Sequence, residues 1–139
     1  MITLVYGADA QVAQWVAAHI RHVDNFDKVT AIGIAEDGKL IAGVVYHRFA
    51  QENIEMSIAA TTPRWIGKGR LHALFYYPFA QLGCTRVTAQ TPRGNKRARR
   101  MLEGLGFKLE GVMREAYPHQ KDAFIYGLLK RECRWIDNG

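Results

Sequence analysis

Cysteine is scarce in this chain of 139 residues: only Cys84 and Cys133, far apart and without Cys-x-x-Cys spacing. The five histidines assemble no recognisable ligand set, so neither a disulfide framework nor a metal is expected, and the thiols should be buried or inert. Long apolar runs are also missing. Nothing approaches the roughly eighteen apolar residues of a membrane span, and the opening Met-Ile-Thr-Leu-Val-Tyr lacks a basic region ahead of an apolar core. Repeats, low-complexity tracts and long linkers are absent as well. Together these absences predict one cytoplasmic domain over residues 1–139, with a core large enough to fold without cross-links and no membrane partner.

What the chain does have is basic charge, 19 Lys and Arg against 13 Asp and Glu. That balance admits nucleic acid, an acidic surface or an acidic small ligand as partner. No helix-turn-helix, zinc-finger or aromatic ribonucleoprotein signature accompanies it, so nucleic acid is disfavoured. Nine of the nineteen cations, Arg64, Lys68, Arg70, Arg86, Arg93, Lys96, Arg97, Arg99 and Arg100, gather around two segments. A fold that joins those segments would concentrate positive potential at one cleft, although Arg97, Arg99 and Arg100 also read as the solvated face of a helix.

Periodicity orders the elements. Residues 2–6 alternate as a strand, and a helix opens at Ala8 or Asp9, with Val12, Trp15, Val16 and Ile20 on its apolar stripe and its end near His22. Strands at 30–35 and 40–48 flank Asp37-Gly38, a hairpin signal. The strand at 53–61 puts Ile54, Met56, Ile58 and Ala60 on one face and Glu55, Ser57 and Ala59 on the other. A helical stripe then runs through Leu71, Leu74, Phe75, Phe79 and Leu82 to Gly83, with Pro78 expected to kink or shorten it. A strand at 86–91, a helix at 95–105 stopped by Gly106, and strands at 107–114 and 123–130 around a polar, Pro-containing loop complete the chain. The result is an α/β (α+β) domain, a mixed, mostly antiparallel sheet of six or seven strands with helices on both faces.

Residues 64–69, Arg-Trp-Ile-Gly-Lys-Gly, place a glycine-rich turn at the mouth of a helix. The first N–H groups of a helix lack intrahelical partners and the peptide dipoles add partial positive charge, so an anion is favoured there. Gly67 and Gly69 remove side chains that would hold a ligand off the backbone, and Arg64, Lys68 and Arg70 add full charges. Some thirty residues on stands Asn95-Lys-Arg-Ala98, followed after one helix by Leu105-Gly106-Phe107.

The two segments together resemble the GCN5-related N-acetyltransferase (GNAT) superfamily, whose diphosphate loop follows its fourth strand and whose later signature is Asn-x-x-Ala and Leu-Gly-Phe. The likeness extends from about residue 29 to about residue 131. The ending, from Arg114-Glu-Ala to Asp122 and Tyr126-Gly-Leu-Leu, is similar to the branch that acetylates ribosomal-protein N-termini, where Asp122 reads as a loop-ordering residue.

The resemblance implies acetyl transfer from acetyl-CoA to a primary amine on a protein N-terminus, a lysine or a small molecule. Main-chain groups of Ile58, Ala59 and Ala60 would orient the pantetheine and thioester. The N–H groups from Trp65 and Ile66 through Gly67, Lys68, Gly69 and Arg70 would hold the diphosphate, and Asn95, with Arg97 and Ala98 of its motif, would meet the pantetheine arm. Asn95 also suits a helix N-cap.

Glu55, a carboxylate in mid-strand, is the candidate base, against the alternative of a solvated or Arg-paired glutamate. The tyrosine that many members use as acid is replaced by Leu102, which leaves Tyr126, Tyr117, His119 or Ser57 as substitutes, or a thiolate that departs unprotonated. Residues 7–29 hold one helix where the family usually has two, which implies a more open acceptor side, suited to a protein amine or completed by the second subunit of a homodimer. The alternative is a GNAT-fold acyl-CoA binder that has lost its chemistry, motivated by Leu102 and the shortened N-terminal region.

Overall fold

The computed structural model describes residues 1–20, 26 and 29–136. Seven strands form one mixed sheet: β1 (Ile2–Val5), β2 (Thr30–Glu36), β3 (Lys39–Ala50), β4 (Asn53–Ala60), β5 (Arg86–Pro92), β6 (Lys108–Tyr117) and β7 (Lys121–Leu129). Their spatial order is β1-β2-β3-β4-β5-β7-β6, antiparallel throughout except for the parallel β4–β5 pair. Asp37 and Gly38 turn the β2–β3 hairpin with both residues in the left-handed region, as the Asp-Gly pair predicts. No helix among the described residues is long and apolar enough to cross a membrane.

Helix α1 (Asp9–His19) covers one face of the sheet, burying Val12, Ala13 and Val16 against Ala31, Val45 and Ala59. It sits close because Gly33 and Gly43 are paired across β2 and β3 beneath it; a Cβ on Gly43 would stand 2.7 Å from Val16 and one on Gly33 3.0 Å from Val12. The helix ends at His19, short of the expected end near His22, since Ile20 is already extended at φ −114° and ψ 110°.

The opposite face carries the larger core. There α2 (Lys68–Tyr76) and α3 (Lys96–Leu105) bury Leu71, Leu74, Phe75, Leu102 and Leu105 on Ile32, Val44, Met56, Val87 and Leu128. Each such side chain contributes about 1.5–3 kcal/mol when fully buried. Pro78 does shorten α2, which gives way to a π-helical turn at Tyr77–Gln81. Proline supplies no N–H to the Leu74 carbonyl four residues earlier, and the buried Tyr46 hydroxyl donates to it instead at 2.5 Å. Helix α3 begins at Asn95, whose Oδ1 accepts the Ala98 N–H at 3.1 Å, and stops at Gly106 with φ +109°.

Candidate functional site

The parallel β4–β5 pairing is short. It joins Asn53, Ile54 and Glu55 to Arg86, Val87 and Thr88 and goes no further. Beyond Glu55, β4 keeps its ladder with β3 while β5 keeps its ladder with β7, so the sheet opens into a V. A strand paired along one edge only leaves alternate N–H and C=O groups free along the other, and here these line the opening. A cleft of about 1110 Å³ runs through the split, bounded by residues 56–60 of β4, residues 89–92 of β5, the start of α3, the end of α1 and the β6–β7 turn.

The glycine turn follows Ile66 of the cleft wall, although Gly67, Lys68 and Gly69 are not themselves among the lining residues, nor is Glu55. The first intrahelical bond of α2 runs from the Leu71 N–H to the Gly67 carbonyl at 2.8 Å, so the N–H groups of Lys68, Gly69 and Arg70 precede the ladder. A Cβ on Gly69 would meet nothing within 4 Å, whereas one on Gly67 would strike the Arg70 guanidinium at 2.6 Å.

Two of the cations expected to face a phosphate are engaged elsewhere. Arg64 makes a two-pronged pair with Glu36, at 2.6 and 3.2 Å. Arg70 folds back along its own loop and donates to the carbonyls of Arg64, Trp65 and Ile66 at 2.8 to 3.1 Å. Neither residue lines the cleft. Arg70 satisfies loop carbonyls, so its part is to hold the turn's shape, while Lys68 remains exposed at the helix mouth. Trp65 is buried in the core, and Ile66 lines the opening nearby.

Ser57, Ile58, Ala59, Ala60, Asn95, Arg97 and Ala98 all line the cleft, as does the buried Leu102. Asn95 is therefore both an N-cap and a cleft residue. Arg100 borders the cleft as well, but the Arg99 guanidinium stands over the Phe124 ring at 4.4 Å, a cation–π contact rather than the solvated position expected of it.

Tyr126 is corrected most sharply. It pairs with Ala89 on the face packed by α2 and α3, is fully buried, donates to Glu103 at 2.8 Å and lies outside the cleft. Strand parity turns its hydroxyl away from Glu55, so it cannot serve as the acid. Tyr117 and His119, from the β6–β7 turn, do border the cleft. Asp122 orders that turn as expected, accepting the Glu115 N–H at 2.9 Å and pairing with Arg93 at 3.5 Å.

Glu55 sits where the V closes, on the sheet face opposite α2, with its side chain 12 % exposed. Gln90 of β5 donates to it at 3.2 Å, and Arg48 approaches at 3.6 Å. Burial raises its pKa, opposed by Arg48 and by the Gln90 bond. His47 lies directly across the β3–β4 ladder, its Nε2 3.5 Å from Glu55 and 2.9 Å from Ser57 Oγ. Burial, and secondarily Arg48, lowers the His47 pKa to about 4, so the ring is neutral at physiological pH and its contact with Glu55 is no ion pair. The Tyr117 hydroxyl reaches Gln90 at 3.5 Å; burial and the nearby Glu55 push its pKa to about 12.

His47 and Gln90 are site residues that the sequence did not single out. Plain counting back from a two-residue turn at 51–52 puts Arg48, not His47, opposite Glu55. A bulge between His47 and Ala50, with Arg48 at φ +55°, shifts the pairing by one residue. Gln90 meets Glu55 through the parallel pairing, which no local signal encodes.

Both cysteines are buried thiols outside any disulfide, with pKa values raised by desolvation. No cluster of three potential metal ligands occurs among the described residues.

No family model matches the sequence, and no curated protein matches it. Solved structures do match in shape. An acetyltransferase of the GNAT family from Bacillus anthracis superposes with a TM-score of 0.69 at 17 % identity, covering 94 % of this chain and 96 % of its own. The ribosomal-protein-S18-alanine N-acetyltransferase from Escherichia coli gives 0.65 at 19 % identity, over 93 % and 94 %. A Salmonella typhimurium protein solved with its cofactor acetyl-CoA gives 0.67 at 15 % identity, over 92 % and 93 %. The chain therefore has the GNAT acetyltransferase fold.

Proposed function

We propose that the protein is an acetyl-CoA-dependent N-acetyltransferase that acts by direct attack of a primary amine on the thioester. The observation behind this reading is the β4–β5 split itself, whose cleft is walled by the parting strands at residues 56–60 and 89–92, with the partly desolvated Glu55 next in β4 and the mouth of α2 next after the lining residue Ile66. In this reading residues 58–60 hold the pantetheine and thioester, the amides of residues 65–70 hold the diphosphate, and Asn95, Arg97 and Ala98 border the arm. The acetyl-CoA bound by the Salmonella neighbour supports the choice of donor.

Glu55 takes a proton from the acceptor nitrogen. The nitrogen lone pair forms the new C–N bond, and the C–S bond breaks with its electron pair left on the CoA sulfur. A general base contributes about 10²–10⁴-fold, whereas alignment of two bound reactants contributes up to about 7–11 kcal/mol, so the cleft's positioning supplies the larger share. Tyr117 serves as a hydrogen-bond donor. Passing a proton from a phenol near pKa 12 to a thiolate whose thiol has an ordinary pKa of about 8.5 is uphill. Ser57, joined to His47, helps hold the polar wall beside Glu55.

Among acceptors, the likeness of the 114–129 segment to the ribosomal-protein branch supports a protein N-terminus, while the charges around Glu55 support a small amine. The second reading, an acyl-CoA binder without chemistry, is favoured by Leu102 at the position where many members keep a tyrosine. Calorimetry with acetyl-CoA, followed by thiol release across a panel of amines, separates the two. Binding with release supports transfer, binding without release supports the binder, and no binding removes both.

A further inference from the structure

The bulge in β3 does more than set register. It holds Arg48, a non-glycine residue, at φ +55°, a backbone state that side chains rarely adopt and that persists where the surroundings impose it. The outcome is a guanidinium 3.6 Å from Glu55 yet 72 % exposed, so most of its donors face solvent beside the base. Tyr117, which pairs with the cleft residue Lys121 across the β6–β7 turn, lies within the electrostatic reach of both Glu55 and Arg48.

Among the described residues the charges here are mostly cationic: Arg48 stands beside Glu55 and Lys121 lines the cleft, while the acid Asp122 is occupied by the Glu115 N–H and Arg93. A polyamine would bring a second ammonium, and no carboxylate among the described residues lines the cleft to receive it. The short distance between base and guanidinium suits a ligand whose anionic oxygen lies only a few bonds from its nitrogen, as in an α-amino acid.

We infer that the acceptor is a free α-amino acid, its amine facing Glu55 and its carboxylate read by Arg48. This rests on the acetyl-transfer reading and narrows its acceptor. A polypeptide N-terminus carries a neutral amide where the carboxylate would be, and Arg48 gains little from it.

The test uses the full chain with acetyl-CoA. Thiol release is compared for the twenty free amino acids, their amides, a short peptide with a free N-terminus, and spermidine. At least one free amino acid should exceed its own amide in kcat/KM by about tenfold to a hundredfold. Arg48→Gln should raise KM for that amino acid and collapse the ratio, with Arg48→Lys restoring part of it and acetyl-CoA affinity unchanged. Equal or better turnover of the amides, the peptide or spermidine overturns this inference alone, as does a ratio that survives in Arg48→Gln. Bound acetyl-CoA with no release for any amine overturns the acetyl-transfer reading with it.

Discussion

On the α2/α3 side, the β4–β5 split is bordered by main chain and by small or apolar side chains: Ile58, Ala60, Ala89 and Leu102. On the α1 side the same two strands present Glu55, Ser57, Thr88 and Gln90, with His47 added from β3. In the proposed reading the first side binds the donor through backbone geometry, which tolerates many side chains provided they stay small. The second works through side chains whose ionisation depends on the packing around them. Thus single substitutions should separate donor binding from chemistry.

The largest effect should come from Glu55→Gln. It keeps the Gln90 side a hydrogen-bonding partner but removes the base, so turnover should fall about 10²-fold or more while acetyl-CoA affinity is unchanged, as read by thiol release and calorimetry. Wild-type kcat/KM should also rise with pH through an apparent pKa above the ordinary glutamate range, because burial raises that of Glu55. Unchanged turnover in the variant would break the division of labour between the two sides.

Next is the stability of the α1 side toward acid. The His47 pKa lies near 4 in the folded chain against 6.5 when unfolded, so its contribution is fully present above pH 6.5 and is lost as pH falls toward 4. That loss is on the order of 3 kcal/mol. Glu55 acts in the opposite sense, since its raised pKa makes the folded state take up a proton first. Chemical denaturation at several pH values should show the His47 loss, and His47→Gln should flatten it.

The smallest effect tests the backbone side. At Gly69 a Cβ would project into open space, so Gly69→Val should fold normally but place a branched side chain at the helix mouth. Acetyl-CoA affinity should fall by about tenfold, equivalent to roughly 1.4 kcal/mol, with little change in the melting temperature. Unaltered affinity would mean that the diphosphate lies elsewhere.

Most of the fold was legible in the sequence because its signals are local. Alternation marked the strands, Asp37-Gly38 the hairpin, and Asn95 and Gly106 the limits of α3, and each arises from neighbours within a few residues. Pro78 announced the end of α2, but the replacement donor, Tyr46, comes from a distant strand. The turn at 64–70 was legible as a glycine-rich turn at a helix mouth, with N–H groups ahead of the helical ladder. Its charges were not, since Arg64 turns to Glu36 and Arg70 to the loop's own carbonyls. Tyr126 was misassigned because its parity on β7 has meaning only once β7 is paired with β5 and covered by α3.

The amino-acid order alone therefore determined the elements, the glycine turn at a helix mouth, the Asn95 cap and the presence of a carboxylate in mid-strand. Only the tertiary structure decided that β4 and β5 part after Glu55, that a one-residue bulge sets His47 opposite it, and that Gln90 and Tyr117 close around it. The physical reason is range. Hydrophobic period and capping are properties of adjacent residues, whereas burial and strand pairing arise only when distant segments meet, and they set the ionisation of Glu55 and His47.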